Sequence, residues 1–450
     1  MNNKLKNTIE KLAPAVFTSL IATTLGLLSL FKSDVPMIQD FGMMLAIGIG
    51  VAFVLAILML IPILVVRDKV LPKEDIKKQA NKSSKYIKVM QFIAHYTYKF
   101  KYVILIIAVI SAGLGFLFDQ EVDVETDFET FMPQDSLALS DIHDLRDLVG
   151  STKRVVLLYQ SDHIESFDTL NNVEKLTEMV KTEFPDKIET LASVSLLLDQ
   201  VSNGRWSENN YLVYLNQLPA DQLRLLHDTS TQQGIINIAL SEMTDEEFEE
   251  FILKLNTSIQ DLSLNIEFKI TGQSIVDQEM LESMTSDRLA MALLGVGLVF
   301  LALLAIYRNF YKALIAVLPI IFIIGWSGWF MYLLGYDYTP LTSTLGALII
   351  GIGTEFTILI LMRFYDYKGA GFSQQESIEK SVASMGKPII VSAVTTIGGF
   401  SALIFSDFEI LSNFGIMTVV NLSLALISAL LVLPALLGVI GKQTKVLSHQ

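Results

Sequence analysis

The chain has 450 residues, 52% of them hydrophobic, and a mean hydropathy of +0.49, more apolar than a soluble protein usually is. Its net charge of −14 is uneven: residues 121–286 carry 32 acidic and 10 basic side chains, a net of −22, leaving the rest at +8. One acidic, water-soluble block is therefore set into a basic, greasy remainder, which excludes nucleic acid as a partner for that block. With no cysteine, disulfides, thiol catalysis and Cys-based metal sites are excluded. His95, His143, His163, His227 and His449 are scattered without a His-Glu-x-x-His pattern, so neither a metal nor another cofactor is expected.

The first apolar run covers about Leu12 to Phe31. Lys4, Lys6 and Lys11 ahead of it imitate a signal peptide, but no small-residue cleavage site follows and a second run begins at once, from Phe41 to Val66. Each run is long enough to cross a hydrocarbon core of about 30 Å. Residues 67–101 form a lysine-rich linker, and residues 102–119 a third span. Five more runs lie within 287–441: Leu289–Ile306, Ala313–Leu334, Leu341–Met362, Pro388–Phe405 and Phe414–Ile440. The predicted fold class is an α-helical multi-pass membrane protein of eight spans with one extracytoplasmic α+β domain, residues 120–286, and a cytoplasmic tail, 442–450.

Lysines and arginines cluster before span one, between spans two and three, at Arg308 and Lys312, from Arg363 to Lys387, and at Lys442 and Lys445. If every run crosses once, all five clusters fall on one side, which the positive-inside rule makes cytoplasmic. Both termini are then cytoplasmic in a cell membrane. The lysines from Lys73 to Lys88 suit anionic lipid headgroups as well as ordinary topology determination.

Within the acidic block, Arg154–Tyr159, Tyr211–Leu215 and Ile266–Ile270 read as strands. Phe167–Phe184 and Glu246–Leu255, continuing towards Leu262, read as amphipathic helices. A last helix, Ser274–Asp287, is expected to run directly into the fourth span.

Glu355 stands in the middle of the apolar run Leu341–Met362, about eight residues or roughly 12 Å from its cytoplasmic end. A charge there costs a few kcal/mol or more, so an intramembrane acid marks a functional site by default. Such a group can load and release a proton as its surroundings alternate between wet and dry. Ala347, Gly351 and Gly353 on the same helix are expected to admit a neighbour closely, as are Gly398 and Gly399 on the next span. Ser392, Thr395 and Thr396 are expected to face Glu355 and relay protons with it. The blander readings are that the hydroxyls bond backbone carbonyls, that the glycines only pack, and that Asp34 and Asp407 cap helices.

An internal repeat is present. Thr23-Thr24-Leu-Gly26 matches Thr395-Thr396-Ile-Gly398, Ser33-Asp34 matches Ser406-Asp407, Phe41-Gly42 matches Phe414-Gly415, and Pro62 matches Pro434, with one or two single-residue gaps. Spans one and two thus repeat the final pair, with Ser19, Thr23, Thr24 and Gly26 as counterparts of the later stripe.

Three stretches carry a family resemblance: Ile306-Tyr-Arg-Asn-Phe-Tyr-Lys-Ala-Leu-Ile-Ala-Val-Leu-Pro319, Gly351-Ile-Gly-Thr-Glu-Phe356, and Thr395-Thr-Ile-Gly-Gly-Phe-Ser-Ala-Leu403 with Ser406-Asp407 and Phe414-Gly415. Together they resemble the resistance-nodulation-division superfamily, in its branch of MmpL-like lipid exporters and hydrophobe/amphiphile efflux pumps. The resemblance implies two halves of six spans, each with an external domain, and proton-driven transport of lipid-like or amphiphilic substrates. On that plan the chain corresponds to the last two spans of a first half and all of a second. A partner acid on the first half's central helix is then expected from a companion chain or a homo-oligomer. Glu355-Phe356 stands where the family signature has Asp-Tyr, which keeps a titratable acid and removes a phenolic hydroxyl.

The alternatives are a protein-export-assisting or lipid-sensing member without pump activity, and an inactive truncated fragment. An enzyme is not expected: Tyr336-Asp337 and Gly351-Ile-Gly resemble the motif pair of intramembrane aspartyl proteases, but the acid comes one residue late and is Glu355.

Overall fold

The computed structural model describes residues 3–440 apart from 34, 71–72, 126–127, 134, 150–152, 263, 277–278, 280–282 and 284–287. The helix expected over Ser274–Asp287, the capping role of Asp34 and the tail 442–450 lie wholly or mostly outside the described residues, as do the lysine side chains from Lys69 to Lys85. The chain forms two compact units, one of residues 1–125 with 281–450 and one of residues 126–280.

The first unit is helical. Its elements are α1 (Asn3–Leu28), α2 (Pro36–Val70), α3 (Lys73–Lys99) and α4 (Lys101–Phe118), and, after the second unit, α11 (Arg288–Tyr307), α12 (Phe310–Leu334), α13 (Pro340–Ser343), α14 (Leu345–Gly369), α15 (Gln374–Ser401), α16 (Glu409–Ile427) and α17 (Leu433–Ile440). Eight stretches among the described residues are long and apolar enough to cross a membrane, so this is a multi-pass helical membrane protein. The expected lysine-rich linker is itself helical, divided between the end of α2 and all of α3.

Local chemistry sets the helix ends. Asn309 caps α12 by accepting from Lys312 N, and Gly335, at φ 66°, ends it in the left-handed conformation that glycine adopts without strain. Ser373 and Glu376 form a capping box at the start of α15. At the end of α17 the free carbonyls of Gly438 and Leu437 are taken up by Lys101 Nζ at 2.9 Å and Gln374 Nε2 at 2.6 Å.

The core of this unit is built around α14. Its span is 67% buried, more than any other, and it is flanked by α1, α11, α12, α15 and α16. Small residues set the approaches. An added Cβ on Gly325 of α12 would stand 2.6 Å from the Ala112 carbonyl of α4, and one on Gly115 would overlap the Gly325 carbonyl. In lipid, where no hydrophobic effect drives helices together, such close van der Waals packing holds them. Nearby, Trp326 donates to Ser111 Oγ at 2.8 Å. The α16–α17 span is interrupted by a π-turn at Ser428–Val432, beside Pro319 of α12, whose carbonyl accepts from Ser428 Oγ at 3.3 Å.

The second unit is an α+β domain. Its antiparallel sheet has the order β2 (Ile188–Ala192), β4 (Gln233–Leu240), β1 (Arg154–Gln160), β5 (Phe268–Thr271), with β3 (His227–Asp228) on β4. One face is buried: Val155, Leu157 and Tyr159 of β1, and Ile236, Ile238 and Leu240 of β4, alternate with more exposed residues. Helices α6 (Phe167–Glu183) and α10 (Asp245–Asp261) supply apolar stripes to the same core. On α6 the stripe is Leu170, Val173, Leu176 and Val180, each worth about 1.5–3 kcal/mol on burial. Helices α5 (Leu137–Val149), α7 (Val194–Ser202), α8 (Tyr211–Leu215) and α9 (Ala220–Leu226) complete the unit.

The strand expected at Tyr211–Leu215 is instead α8. Five consecutive apolar residues have no period that separates strand from helix. Asn210, just ahead of it, accepts from Ser207 N at 2.6 Å and turns the chain into a helical start.

Candidate functional site

Glu355 lies half-buried on α14, ten residues into the helix. Its neighbours on that helix are buried: Thr354 and Phe356 at 0% and 1% exposure. Its carboxylate has no hydrogen-bond partner among the described residues. The hydroxyls nearest in sequence are turned onto backbone: Thr354 Oγ1 donates to the Gly351 carbonyl at 2.7 Å, and Thr357 Oγ1 to the Gly353 carbonyl at 2.9 Å.

Of the small residues on α14, Ala347 is buried, Gly351 is in tight contact and Gly353 is in ordinary van der Waals contact. A Cβ on Gly351 would meet Thr23 Cγ2 of α1 at 2.8 Å, and one on Gly353 would meet Ile323 Cδ1 of α12 at 3.4 Å. Thr23 Oγ1 also donates to the Gly351 carbonyl, at 3.0 Å, so this one carbonyl accepts from two helices. Ser19 is buried, and Gly26 packs with an added Cβ 3.4 Å from that of Ile350. Thr24 is half-buried.

The α15 residues are placed differently. Thr395 is exposed, Ser392 and Thr396 are half-exposed, and Gly398 and Gly399 have nothing within 4 Å of an added Cβ. Thr395 Oγ1 donates to the Val391 carbonyl at 2.8 Å and Thr396 Oγ1 to the Ser392 carbonyl at 3.0 Å, both on their own helix. Gly351 and Gly353 of α14 thus pack within the chain, and Gly398 and Gly399 of α15 do not.

Around its turn the internal repeat is reproduced in three dimensions at an offset of 373 residues. The 3₁₀ turn Ser29–Lys32 after α1 recurs as Ala402–Phe405 after α15. Ser33 N donates to the Leu30 carbonyl at 3.1 Å, and Ser406 N to that of Leu403 at 3.0 Å. Ser33 Oγ accepts from Val35 N and Ser406 Oγ from Phe408 N, both at 3.2 Å. Gly42 and Gly415 both close on that turn, their added Cβ atoms 2.9 and 2.8 Å from Leu30 Cβ and Leu403 Cβ. Because each helix runs into its turn without a break, no single-residue gap fits there. The structure therefore pairs Thr23 with Thr396 and Gly26 with Gly399, one position on from the match of letters.

Two features lay beyond the sequence reading. The first is a polar knot: Asp119, at the end of α4, receives Arg288 at 2.8 Å and the Tyr338 hydroxyl at 2.6 Å, and the Arg288 guanidinium stacks 3.7 Å from the Tyr338 ring centroid. Its only sequence signal was an acid closing one apolar run and an arginine opening the next. The second is Asn421 of α16, 4% exposed, whose amide nitrogen and oxygen have no partner among the described residues. It lines a cavity of about 10 Å³ with Thr418, Leu348, Ile349 and Ile352. An asparagine in an apolar run was visible, but not which helix it met. Among the described residues no cluster of His, Asp or Glu could hold a metal ion.

A bundle of eight apolar helices, an α+β insertion and an acid on the most enclosed helix define a polytopic membrane protein built on a repeated helix pair. The MMPL family model matches residues 159–449, and the chain belongs to that family. It is similar to the membrane protein MJ1562 of Methanocaldococcus jannaschii, 22% identical over 361 residues that cover 78% of this chain and 93% of that protein. It is also similar to the sulfolipid-1 exporter MmpL8 of Mycobacterium tuberculosis, 27% identical over 99 residues, and to the membrane protein YdgH of Bacillus subtilis, 28% identical over 194. Those stretches cover 22% and 40% of this chain, but only 9% of the exporter and 21% of YdgH.

Proposed function

We propose that the chain is a proton-coupled transporter, or a subunit of one, that moves lipid-like or amphiphilic substrates across a cell membrane. Glu355 is its proton carrier. Both termini and the α14–α15 turn face the cytoplasm, and the α+β unit faces outward. The observation that carries this reading is Glu355 itself: a carboxylate on the most enclosed span with no hydrogen bond among the described residues that would make it a structural ion. Family membership and the likeness to a lipid exporter support the substrate class.

In this reading Glu355 takes a proton when its surroundings open to one side and loses it when they open to the other. Each change in its charge alters the cost of enclosing α14, and the helices around it repack in response. Ser392, Thr395 and Thr396 serve as relay groups once the open face of α15 is covered. The test is Glu355→Gln in proteoliposomes with an imposed pH gradient. Gradient-dependent movement of a fluorescent phospholipid analogue is expected to fall to the level of empty vesicles, with insertion and thermal stability retained. Undiminished gradient-driven movement would remove Glu355 from the mechanism.

A further inference from the structure

The ring of His227 is sealed inside the α+β unit with nothing to bond. It follows α9 and opens β3, a strand of two residues that pairs with Gln233 and Gly234 of β4. Its side chain is 0% exposed, and neither ring nitrogen has a hydrogen-bond partner among the described residues. Burial holds its pKa below the ordinary value of 6.5. Glu165, in the loop between β1 and α6, places Oε1 3.9 Å from Nε2, and Asp228 is the next residue; both oppose the effect of burial without outweighing it. Asp228 accepts from Ser230 N at 2.9 Å and from Thr231 Oγ1 at 2.8 Å, which leaves Glu165 as the counter-ion within reach. Asp162 and His163 in the same loop as Glu165, and Asp221 and Arg224 on α9, are exposed, and β4 brings no charged side chain.

We infer that His227 is a proton-operated latch: while neutral it keeps β3 on β4, and when acid protonates it that hairpin is released. A neutral imidazole fits the enclosed position at the cost of an unmade hydrogen bond. An imidazolium there is a buried charge, and Glu165 at 3.9 Å stands beyond hydrogen-bond distance. With only two residues in β3, the smallest movement that wets the ring is to lift β3 from β4. The hairpin tip is already strained, since Gln232 holds φ 57°, a left-handed conformation uncommon for a residue with a side chain. The same glutamine holds the neighbouring loop: Ser161 N donates to its carbonyl and Ile164 N to its Oε1, both at 3.1 Å. Lifting the hairpin thus frees residues 161–166 as well and uncovers the buried side chains of Ile164 and Leu226. The open state binds a proton more readily than the closed one. Opening therefore grows as pH falls through 6.5 and levels off once the enclosed ring is protonated too. In the proposed orientation the unit faces outward and the latch reads external pH, although its operation depends neither on that orientation nor on Glu355.

The test is amide hydrogen exchange, read by mass spectrometry on the full chain in lipid nanodiscs at about pH 5 and about pH 8, with labelling times scaled for the intrinsic rate. Peptides covering residues 161–166 and 227–234 are expected to lose protection several-fold at the acid pH, while those covering α10 keep theirs. His227→Phe, which fills the site and cannot titrate, is expected to abolish the acid response. Glu165→Gln is the second variant, at an exposed position that leaves the core untouched. It removes the anion nearest the ring, so protection at the alkaline pH should be unchanged and the loss at the acid pH should be larger. Equal protection at both pH values in the unmodified chain would overturn the latch, and so would a full acid response in His227→Phe. If His227→Phe does not fold, Glu165→Gln decides: an acid response no larger than that of the unmodified chain removes His227 from the opening. None of these readouts involves transport, so the latch and the role of Glu355 fail separately.

Discussion

Asp119, Arg288 and Tyr338 show how much one knot of side chains can carry. Asp119 accepts from both partners, while Gly328 leaves room for its carboxylate. The turn around Tyr338 is also stitched to the chain leaving α4, with Tyr338 N donating to the Asp123 carbonyl at 2.8 Å and Glu125 N to the Tyr338 carbonyl at 3.0 Å. Removing one member leaves a largely buried charge alone. Arg288→Leu is expected to destabilise the bundle by about 3–5 kcal/mol. Asp119→Leu together with Arg288→Leu should recover much of that loss, because no uncompensated charge remains. Thermal unfolding of purified single and double variants in the same detergent checks both statements. Nothing in the sequence joins these residues: Asp119 and Arg288 are 169 positions apart. Glu355 was legible for the opposite reason, since a charge inside an apolar run announces itself in one dimension.

At the scale of elements, the apolar runs marked the spans, because that signal is local, and the basic clusters set only an expected orientation. Strand β1 was legible as the compact run Arg154–Tyr159, whereas β4, whose pairing with β1 defines the sheet, was not singled out. Its role depends on partners 73 to 85 residues away. Which helices touch was likewise hidden, since small residues line both enclosed and open faces. Gly325 and Gly399 look alike in sequence, yet one faces the backbone of α4 and the other faces open space. The consequence is an asymmetric tolerance. Gly325→Leu is expected to separate α4 from α12 and lower the melting temperature by several degrees, while Gly398→Leu in the isolated chain should leave it nearly unchanged. Differential scanning fluorimetry of the two variants distinguishes them. A comparable loss in both would mean that the open face of α15 is packed in solution.

For the whole molecule, the proposed orientation sets two surfaces on opposite sides of a membrane. The cysteine-free chain makes this directly measurable. Ser373→Cys, in the turn between α14 and α15, should react with a membrane-impermeant maleimide only after cells are permeabilised. Asp221→Cys, at the start of α9, should react in intact cells. Reversed labelling would invert the topology, with the acidic unit in the cytoplasm and the positive clusters outside.

The π-turn at Ser428–Val432 and Pro319 opposite it bear on how such a bundle can flex. A proline leaves one carbonyl of its helix without an amide, and a π-turn has already left the regular ladder. Here the two irregularities are neighbours, tied by the Ser428 hydroxyl. Two adjacent helices therefore share one depth at which their backbones are already loosened. Bending there disturbs fewer regular backbone hydrogen bonds than bending elsewhere in either helix, so the segments on either side are expected to swing about this depth, as a door turns on paired hinges.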